Sequence, residues 1–315
     1  MKILTSNITI GKHTFDFVHG IEVTTGWQEQ TSKAVIRMPA KITVDKNELK
    51  NVFKKGDPVT IQIGYDGRLN TIFNGFIARV HPKVPLVLDC EDLMWKLKQI
   101  QVNDNAKNET MQSFLSRNIP YPIDCFDIKI PSYIASKVSA AQLLDKISQD
   151  FGLSAFVRDG KIVVGKQYAP DKIARHIIIL DNSTRSNVVV DNLEYTSKDD
   201  VKIKVTAISN LSSGKKVEVE LGDPDGETRT LNFYNIPEPD LKAIAEKEME
   251  KLQYDGYRGD FIVFGEPFIR EGEIVEIRND QESDKTGSYW VDGVTYKFDF
   301  GGIRQEIKPG PRNNG

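Results

Sequence analysis

Carboxylates are the side chains of this 315-residue sequence best placed to do acid–base chemistry, and they cluster around Asp89-Cys90-Glu91-Asp92 and around Glu218, Glu220 and Asp223. A glycosidase needs two carboxyl groups that face each other across a cleft. Strand alternation places Glu218 and Glu220 on one solvent face, where charges are expected in any case. The first cluster lies where a strand passes into a helix, so we expect one of its acids to cap that helix. The sequence therefore predicts no catalytic residue.

The sequence contains no motif that is typical of metal or cofactor binding. No histidine belongs to an HExxH pair, and no GxSxG elbow, Walker loop or GxGxxG follows a strand. A lone histidine in strand sequence is more often an ordinary surface or core residue than a ligand. The four histidines are His13, His19, His81 and His176. We therefore expect no metal site and no bound cofactor.

The two cysteines, Cys90 and Cys125, lie in strand-like sequence outside any CxxC pair. Their simplest interpretation is a pair of reduced, partly buried thiols in a reducing compartment. A disulfide between them stays open at this point, because its geometry cannot be tested from sequence.

Charge and hydropathy narrow the class of protein further. The formal net charge is −3 and the isoelectric point is about 5.9, without the basic face that binds polyanions. Sequence-specific nucleic-acid binding is therefore disfavoured. No apolar run resembles a signal peptide or reaches the roughly 18 residues of a membrane span. We expect synthesis and folding in the cytoplasm, with no membrane anchor.

The first ninety residues alternate polar and apolar positions as β-strands do. Short strands are separated by turn signals, of which Asp66-Gly67 is typical of a tight hairpin. Many short strands of this kind favour a barrel or a sandwich. Residues 1–90 are therefore predicted to form a first barrel-like β-domain.

The hydrophobic period changes to that of helices after residue 91. A capping box formed by Ser139 and Gln142 predicts the start of a helix, and Gly152 predicts its end. A hairpin around Asp159-Gly160 follows. Residues 91–180 are predicted to form a small α+β domain.

Strands resume after this segment and continue almost to the end of the chain. One helix, which we expect Asp240 to cap, interrupts them. Residues 181–307 are predicted to form a second barrel-like β-domain with one helix, and residues 308–315 a disordered tail. The predicted fold class is β-rich α+β, with two barrel-like β-domains flanking a small α+β domain.

A weak internal repeat links the two ends of the chain. Residues 54–61 (KKGDPVTI) are similar to residues 270–277 (REGEIVEI), and each segment is followed by a later strand that ends near Val80 or Val294. The glycine-to-valine spacings are 80 − 56 = 24 and 294 − 272 = 22 residues. The repeat favours two similar β-domains.

Several motifs, taken in order, resemble a known family. They are residues 55–61 (KGDPVTI), 64–67 (GYDG), 72–77 (IFNGFI), 88–98 (LDCEDLMWKLK), the helix and hairpin of 141–165, 287–294 (GSYWVDGV) and Arg304-Gln305. Together they resemble the tail-hub proteins of the late control gene D type, which are related to the N-terminal part of VgrG spikes.

The resemblance implies a structural, non-enzymatic subunit of a phage tail or related contractile injection machine. Two barrel-like domains in each of three chains would form a homotrimeric ring of pseudo-sixfold symmetry. Such a ring would join a hexameric tail tube to a trimeric spike in the baseplate, contact other baseplate proteins and enclose the central channel. The spike is expected to be a separate protein, because no β-helical repeat follows residue 307. Phage, prophage and bacterial secretion system stay open as the source.

Two other functions stay open beside the hub. A tail-tip protein that binds or degrades cell-wall glycan would need a pair of acids in one groove. A β-rich adhesin would present an exposed aromatic groove and form a monomer or a fibre. Among the aromatic residues, which could also form a carbohydrate platform, Trp27 is the one expected to be exposed.

Overall fold

The computed structural model describes residues 2–39, 43–44, 47–48, 52–126, 128–168, 173–180, 186–211, 215–234, 236–253, 255–279 and 282–313. The described part of the chain is rich in strands and has four α-helices. This confirms the predicted β-rich α+β class.

The N-terminal part consists of strands. They are β1 (Leu4–Ile10), β2 (His13–Phe15), β3 (Gly20–Gly26), β4 (Lys33–Met38), β5 (Thr43–Val44), β6 (Asn47–Glu48), β7 (Pro58–Tyr65), β8 (Arg68–His81) and β9 (Leu86–Glu91). The turn between β7 and β8 has Asp66 at φ 53° and Gly67 at φ 77°. Both central residues lie in the left-handed region, as a type I′ turn requires, so the predicted hairpin is confirmed.

The middle segment mixes helices with short strands. Its elements are α1 (Met94–Leu97), β10 (Gln101–Thr110), α2 (Met111–Asn118), β11 (Ile123–Cys125), β12 (Lys129–Ser139), α3 (Ala140–Phe151), β13 (Ala155–Arg158) and β14 (Lys161–Val164). Ser139 and Gln142 form the predicted capping box, and Gly152 ends α3 at φ 66°. The buried stripe of α3 packs into a hydrophobic core whose buried residues lie between Met94 and Val164.

The remaining elements alternate between one helix and many strands. They are β15 (Arg175–Ile179), β16 (Val188–Asp191), β17 (Glu194–Thr196), β18 (Ile203–Asn210), β19 (Lys216–Gly222), β20 (Glu227–Tyr234), α4 (Glu238–Leu252), β21 (Gly256–Arg258), β22 (Phe261–Phe264), β23 (Ile274–Arg278), β24 (Gly287–Asp299) and β25 (Gly302–Arg312), with 3₁₀ turns at Lys198–Asp200 and Ser283–Lys285.

Two predictions for this part of the chain are wrong. The N-cap of α4 is Pro237 and not Asp240, because a proline pair at the helix start leaves Asp240 within the first turn. Residues Lys308 to Arg312, predicted as disordered tail, are the end of β25, because they pair with β24 and Pro309 and Gly310 are buried. Asn314 and Gly315 lie outside the described residues.

One thirteen-stranded sheet contains strands from both ends of the sequence. Its main order is β16-β22-β25-β24-β3-β4-β9-β8-β7-β1-β2, and β15 joins through β23. Strand β3 pairs with β24, so the two ends of the chain share one sheet and one hydrophobic core. The order does not return to its start, and no sheet in the described residues closes into a barrel within one chain.

Candidate functional site

The large sheet consists mainly of two copies of the same five-strand arrangement. Repeat 1 is β7-β8-β9-β4-β3, and repeat 2 is β23-β24-β25-β22-β16, each written in its order across the sheet. Every neighbouring pair in both repeats is antiparallel. The strands also follow the same order along the chain, so the two repeats have the same topology.

The turn that precedes β7 in repeat 1 is held by four hydrogen bonds. Gly56 N donates to Ile77 O (2.8 Å), and Ile77 N donates to Asp57 O (2.9 Å). Asp57 N donates to Lys54 O (3.1 Å), and the Asp57 side chain accepts from Lys54 N (2.8 Å). Gly56 has φ 92°, a conformation that side chains with a Cβ rarely adopt.

The turn that precedes β23 in repeat 2 is held by four equivalent hydrogen bonds. Gly272 N donates to Val291 O (2.8 Å), and Val291 N donates to Glu273 O (2.9 Å). Glu273 N donates to Arg270 O (3.3 Å), and the Glu273 side chain accepts from Arg270 N (2.8 Å). Gly272 has φ 77°. The weak repeat in the sequence thus corresponds to two turns with the same backbone structure.

A β-bulge occupies the same place in both repeats. The register of β8 on β9 shifts between Ile77 and Arg79, and that of β24 on β25 shifts between Val291 and Gly293. A β-bulge locally disrupts the pairing of two strands and changes the direction of a side chain. Because the bulge lies at the same position in both repeats, it belongs to their common structure. In repeat 2 the bulge residue is Asp292.

Asp292 ties the two repeats to the middle segment. Its carboxylate accepts from Trp27 Nε1 (2.9 Å), Gln28 Nε2 (3.0 Å) and the Tyr168 hydroxyl. Burial raises the pKa of Asp292, and the hydrogen bonds from Tyr168 and Trp27 oppose that shift. Tyr168 also stacks on Trp290, with ring centroids 4.6 Å apart. Trp27 is therefore half-buried and hydrogen-bonded, and its predicted exposure is wrong.

A cavity of about 660 Å³ lies between the two repeats and the middle segment. Four acidic residues belong to its lining, Asp92, Asp159, Glu271 and Glu273, and the first and third of them have a raised pKa. Asp92 accepts from Ser32 N (2.8 Å) and from Met94 N (2.9 Å), the first residue of α1. Burial raises the pKa of Asp92 to about 7. The N-cap position of α1 is Leu93, so Asp92 does not occupy it, but the Asp92 carboxylate accepts the first N–H of the helix, as expected for one acid of the first cluster.

Glu271 forms an ion pair with Arg158, which comes from β13 of the middle segment (Nε to Oε1, 3.1 Å). Burial raises the pKa of Glu271, while the charge of Arg158 lowers it. Arg158 also donates to the carbonyl oxygen of Gln167 (2.7 Å). Of the acidic residues that line the cavity, Asp92 and Glu271 are thus committed to contacts that hold segments of the chain together.

The other acidic residues of the two clusters, around Asp89 and around Glu218, do not line this cavity. Most of them pair with basic side chains. Asp89 is 2.6 Å from His81, and Glu91 is 2.6 Å from Lys98. Glu218 pairs with Lys216 on the exposed side of β19. Glu220 pairs with Lys204, and this contact lowers its pKa. The predicted solvent-facing role of the second cluster is confirmed by these positions.

The histidines and cysteines do not converge on a metal site. His176 pairs with Glu273 at 2.8 Å. Cys90 and Cys125 are both buried, and burial raises the pKa of Cys90 to about 12. Within the described ranges, no three His, Cys, Asp or Glu side chains lie close enough to hold a metal ion. In the same ranges, no helix has the length and hydropathy needed to cross a bilayer.

An exposed aromatic cluster was missed by the sequence analysis. Phe17 and Phe300 are 49% and 76% exposed, and their ring centroids are 5.9 Å apart. His19 contacts both rings. Phe300 lies in the turn between β24 and β25, and a large apolar residue in the sequence DFGG was the signal. Contiguous exposed apolar groups commonly mark contact surfaces.

Comparison with known proteins was made from both sequence and structure. No protein-family model and no curated protein sequence matches the chain. The structure is similar to the tail protein from Neisseria meningitidis, with a TM-score of 0.70 and 15% identity over 99% of this chain and 97% of that one. It is also similar to the 43 kDa tail protein of prophage MuSo2 from Shewanella oneidensis (TM-score 0.65, 13% identity, 97% of both chains).

A third similar structure is a component of the Escherichia coli type VI secretion system, described as similar to the T4 tail proteins gp27 and gp5. The TM-score is 0.58 and the identity 9%, over 98% of this chain and 77% of that one. The chain thus has the fold of phage tail proteins and of related secretion-system proteins. The resemblance that the sequence motifs indicated is confirmed at the level of the fold.

Proposed function

We propose that the chain is a structural, non-enzymatic hub subunit of a phage tail or related injection machine. In this proposal three copies form a ring that joins a hexameric tail tube to a trimeric spike and encloses the central channel. The observation that carries the proposal is the duplicated five-strand repeat, with its matching turns and bulges. The tail-protein fold supports it.

The duplication supplies a physical reason for the proposed symmetry. A trimer of chains with two similar repeats presents six similar units, so one face of the ring can match a sixfold tube. The other face keeps true threefold symmetry, as a trimeric spike requires. The parts that differ between the repeats, such as β18–β20 with α4, would distinguish the two faces.

The proposed domain division follows the same logic. Residues 1–90 and 181–307 would each complete a barrel-like domain in the ring, and residues 91–180 would lie outside it. Other baseplate proteins would contact the ring, and its place would be the baseplate of the virion or injection machine. A structural role is supported by the buried carboxylates, since Asp92, Glu271 and Asp292 all hold chain segments together.

Native mass spectrometry of the purified chain tests the proposed assembly. We expect a trimer, and a species that binds the tube protein when the two are mixed. A glycan-degrading protein remains the competing function, because the central cavity contains two carboxyl groups of raised pKa. A strict monomer that releases sugar from purified peptidoglycan would overturn the hub and establish the enzyme.

A further inference from the structure

The contact between the two repeats inside one chain is a strand pairing. On one edge of β24, Val291 pairs with the turn at Gly272, and the residues from Gly293 onward on the same edge pair with β3. Gly293 to Phe298 lie opposite Gly26 to Ile21, in antiparallel register. In this pairing Thr295 lies opposite Thr24, with hydroxyl oxygens 3.3 Å apart. Repeat 2 thus binds repeat 1 through one defined edge.

The corresponding edge of repeat 1 is the end of β8. Val80 corresponds to Val294, because each lies two positions after the bulge residue of its strand. Each also lies three positions after the residue that bonds to the glycine turn, Ile77 or Val291. The pairing of β7 with β8 stops at Phe76, and the Gly56 turn covers Ile77. From residue 79 onward, no strand among the described residues pairs with this edge of β8. Val84, just beyond it, is 81% exposed.

The strand of repeat 2 that corresponds to β3 is β16 together with β17. In repeat 1, Ile21 lies opposite Ile36 and Thr24 opposite Lys33. In repeat 2, Asp191 lies opposite Phe261 and Glu194 opposite Arg258. Each pair of contacts is spaced by three residues on both strands. The pairing across the sheet fixes the correspondence, since Val80 connects to Ile21 through Leu88 and Ile36. Val294 connects in the same way to Asp191 through Ile307 and Phe261. Ile21 therefore corresponds to Asp191, and Thr24 to Glu194.

This second edge is also uncovered in one chain. Strand β16 ends the sheet order, and β17 pairs only with β21 among the described strands. Val189 and Val190 are 41% and 40% exposed. Apolar β-branched residues on an unpaired edge are unusual in a monomer, since such an edge is a template for pairing with another chain. The edge is therefore open to pairing with a strand of another chain.

The two uncovered edges carry opposite charges. Arg79 and Lys83 are exposed at the end of β8, whereas Asp191 and Glu194 are exposed on β16 and β17. Opposite charges on paired strands stabilise the pairing, and like charges oppose the pairing of an edge with itself. Six strands lie between the two edges in the sheet order, and among the described residues the two edges do not pair with each other within one chain.

We propose that the end of β8 in one copy pairs with β16–β17 of a second copy of this chain. The contact repeats the β24–β3 contact, with Val80 opposite Tyr195 and His81 opposite Glu194. It rests on the proposed function, because three such head-to-tail contacts close the ring. Pro82 and Pro85 lack the backbone N–H, so they limit the pairing to a short ladder and discourage wrong partners.

Paired cysteines test this register directly. In the His81→Cys/Glu194→Cys double variant, mild oxidation is expected to join neighbouring copies into dimers and trimers on a non-reducing gel. Opposite residues of antiparallel strands have Cβ atoms about 4.5–5.5 Å apart, close enough for a disulfide after a small adjustment. The native cysteines are buried and do not interfere.

The internal contact supplies a matched control. In the Thr24→Cys/Thr295→Cys variant, the cysteines occupy the corresponding positions of β3 and β24, so oxidation should link them within one chain and leave its mass as a monomer. The single variants His81→Cys and Glu194→Cys should give at most symmetric dimers and no trimers. Native mass spectrometry of the wild-type chain is recorded in parallel.

The outcomes separate this inference from the proposed function. Cross-linked trimers that need both cysteines support the β8 to β16–β17 contact. A wild-type trimer without any cross-link from the double variant overturns the contact and leaves the ring standing. A wild-type chain that remains monomeric at every concentration, again without cross-links, overturns the ring and the contact together.

Discussion

Substituting alanine for the glycines of the two matching turns should give unequal losses of stability. Gly56 has φ 92° and Gly272 has φ 77°, so alanine is strained at both positions. A Cβ at Gly56 would lie 2.8 Å from Cη2 of Trp95. A Cβ at Gly272 would lie 3.2 Å from Nη2 of Arg158, the far end of a long side chain.

The expected magnitudes follow from these surroundings. Gly67 has φ 77° with no atom within 4 Å of an added Cβ, so Gly67→Ala isolates the backbone strain of ~1–2 kcal/mol. Gly56→Ala adds overpacking of ~1–3 kcal/mol, because Trp95 is buried and stacks on Phe76. We expect ~2–5 kcal/mol for Gly56→Ala, and a value within ~1 kcal/mol of Gly67→Ala for Gly272→Ala.

Urea unfolding followed by circular dichroism and tryptophan fluorescence measures these differences. Equal m-values for the three variants and the wild-type chain make the free energies of unfolding comparable. The order Gly56→Ala, then Gly272→Ala, then Gly67→Ala is expected from the largest loss to the smallest. A Gly56→Ala loss no larger than that of Gly67→Ala would refute the packing of Trp95 on this turn.

Three further predictions concern the buried carboxylates. Since the pKa of Asp92 is raised to about 7 in the fold, its contribution to stability is complete below the ordinary aspartate pKa and is lost as pH rises through 7. In the wild-type chain the free energy of unfolding should therefore decrease by up to ~4 kcal/mol between pH 4 and 7, and Asp92→Asn should abolish this decrease. A variant with the same pH profile as the wild-type chain would contradict this. Arg158→Ala should cost ~3–5 kcal/mol because it leaves Glu271 buried without its cation, and adding Glu271→Gln should recover part of that loss in urea titrations. Asp292→Ala should cost at least ~2 kcal/mol because Trp27 Nε1 loses its acceptor, and an unchanged thermal midpoint would disprove that role.

Local features of the fold were predicted well from the sequence because short-range chemistry determines them. The capping box at Ser139 and the turn at Asp66-Gly67 depend on residues at most three positions apart. The weak repeat around Gly56 and Gly272 was also visible, since a positive-φ glycine tolerates few replacements. Its identical hydrogen bonds could be recognised only in the structure.

The pairing of β3 with β24, which lie near opposite ends of the chain, could not be predicted from the sequence. Strand alternation shows which face of β3 is buried but does not identify β24 as its partner, more than 260 residues away. The hydrogen bonds to the Asp292 carboxylate could not be predicted for the same reason, because their donors Trp27 and Tyr168 are remote in sequence. The tail after Lys308 was misjudged because its proline and glycine residues suggest disorder, whereas β24 provides a pairing edge.

Cryo-electron microscopy of the purified chain tests the central claim, the ring, most directly. We expect closed rings of three copies, in which repeats 1 and 2 alternate and superpose about a pseudo-sixfold axis around an open channel. Single copies in every class of particles, or closed assemblies in which the two repeats occupy different radii, would contradict the account of the chain as a hub that matches a sixfold tube to a threefold spike.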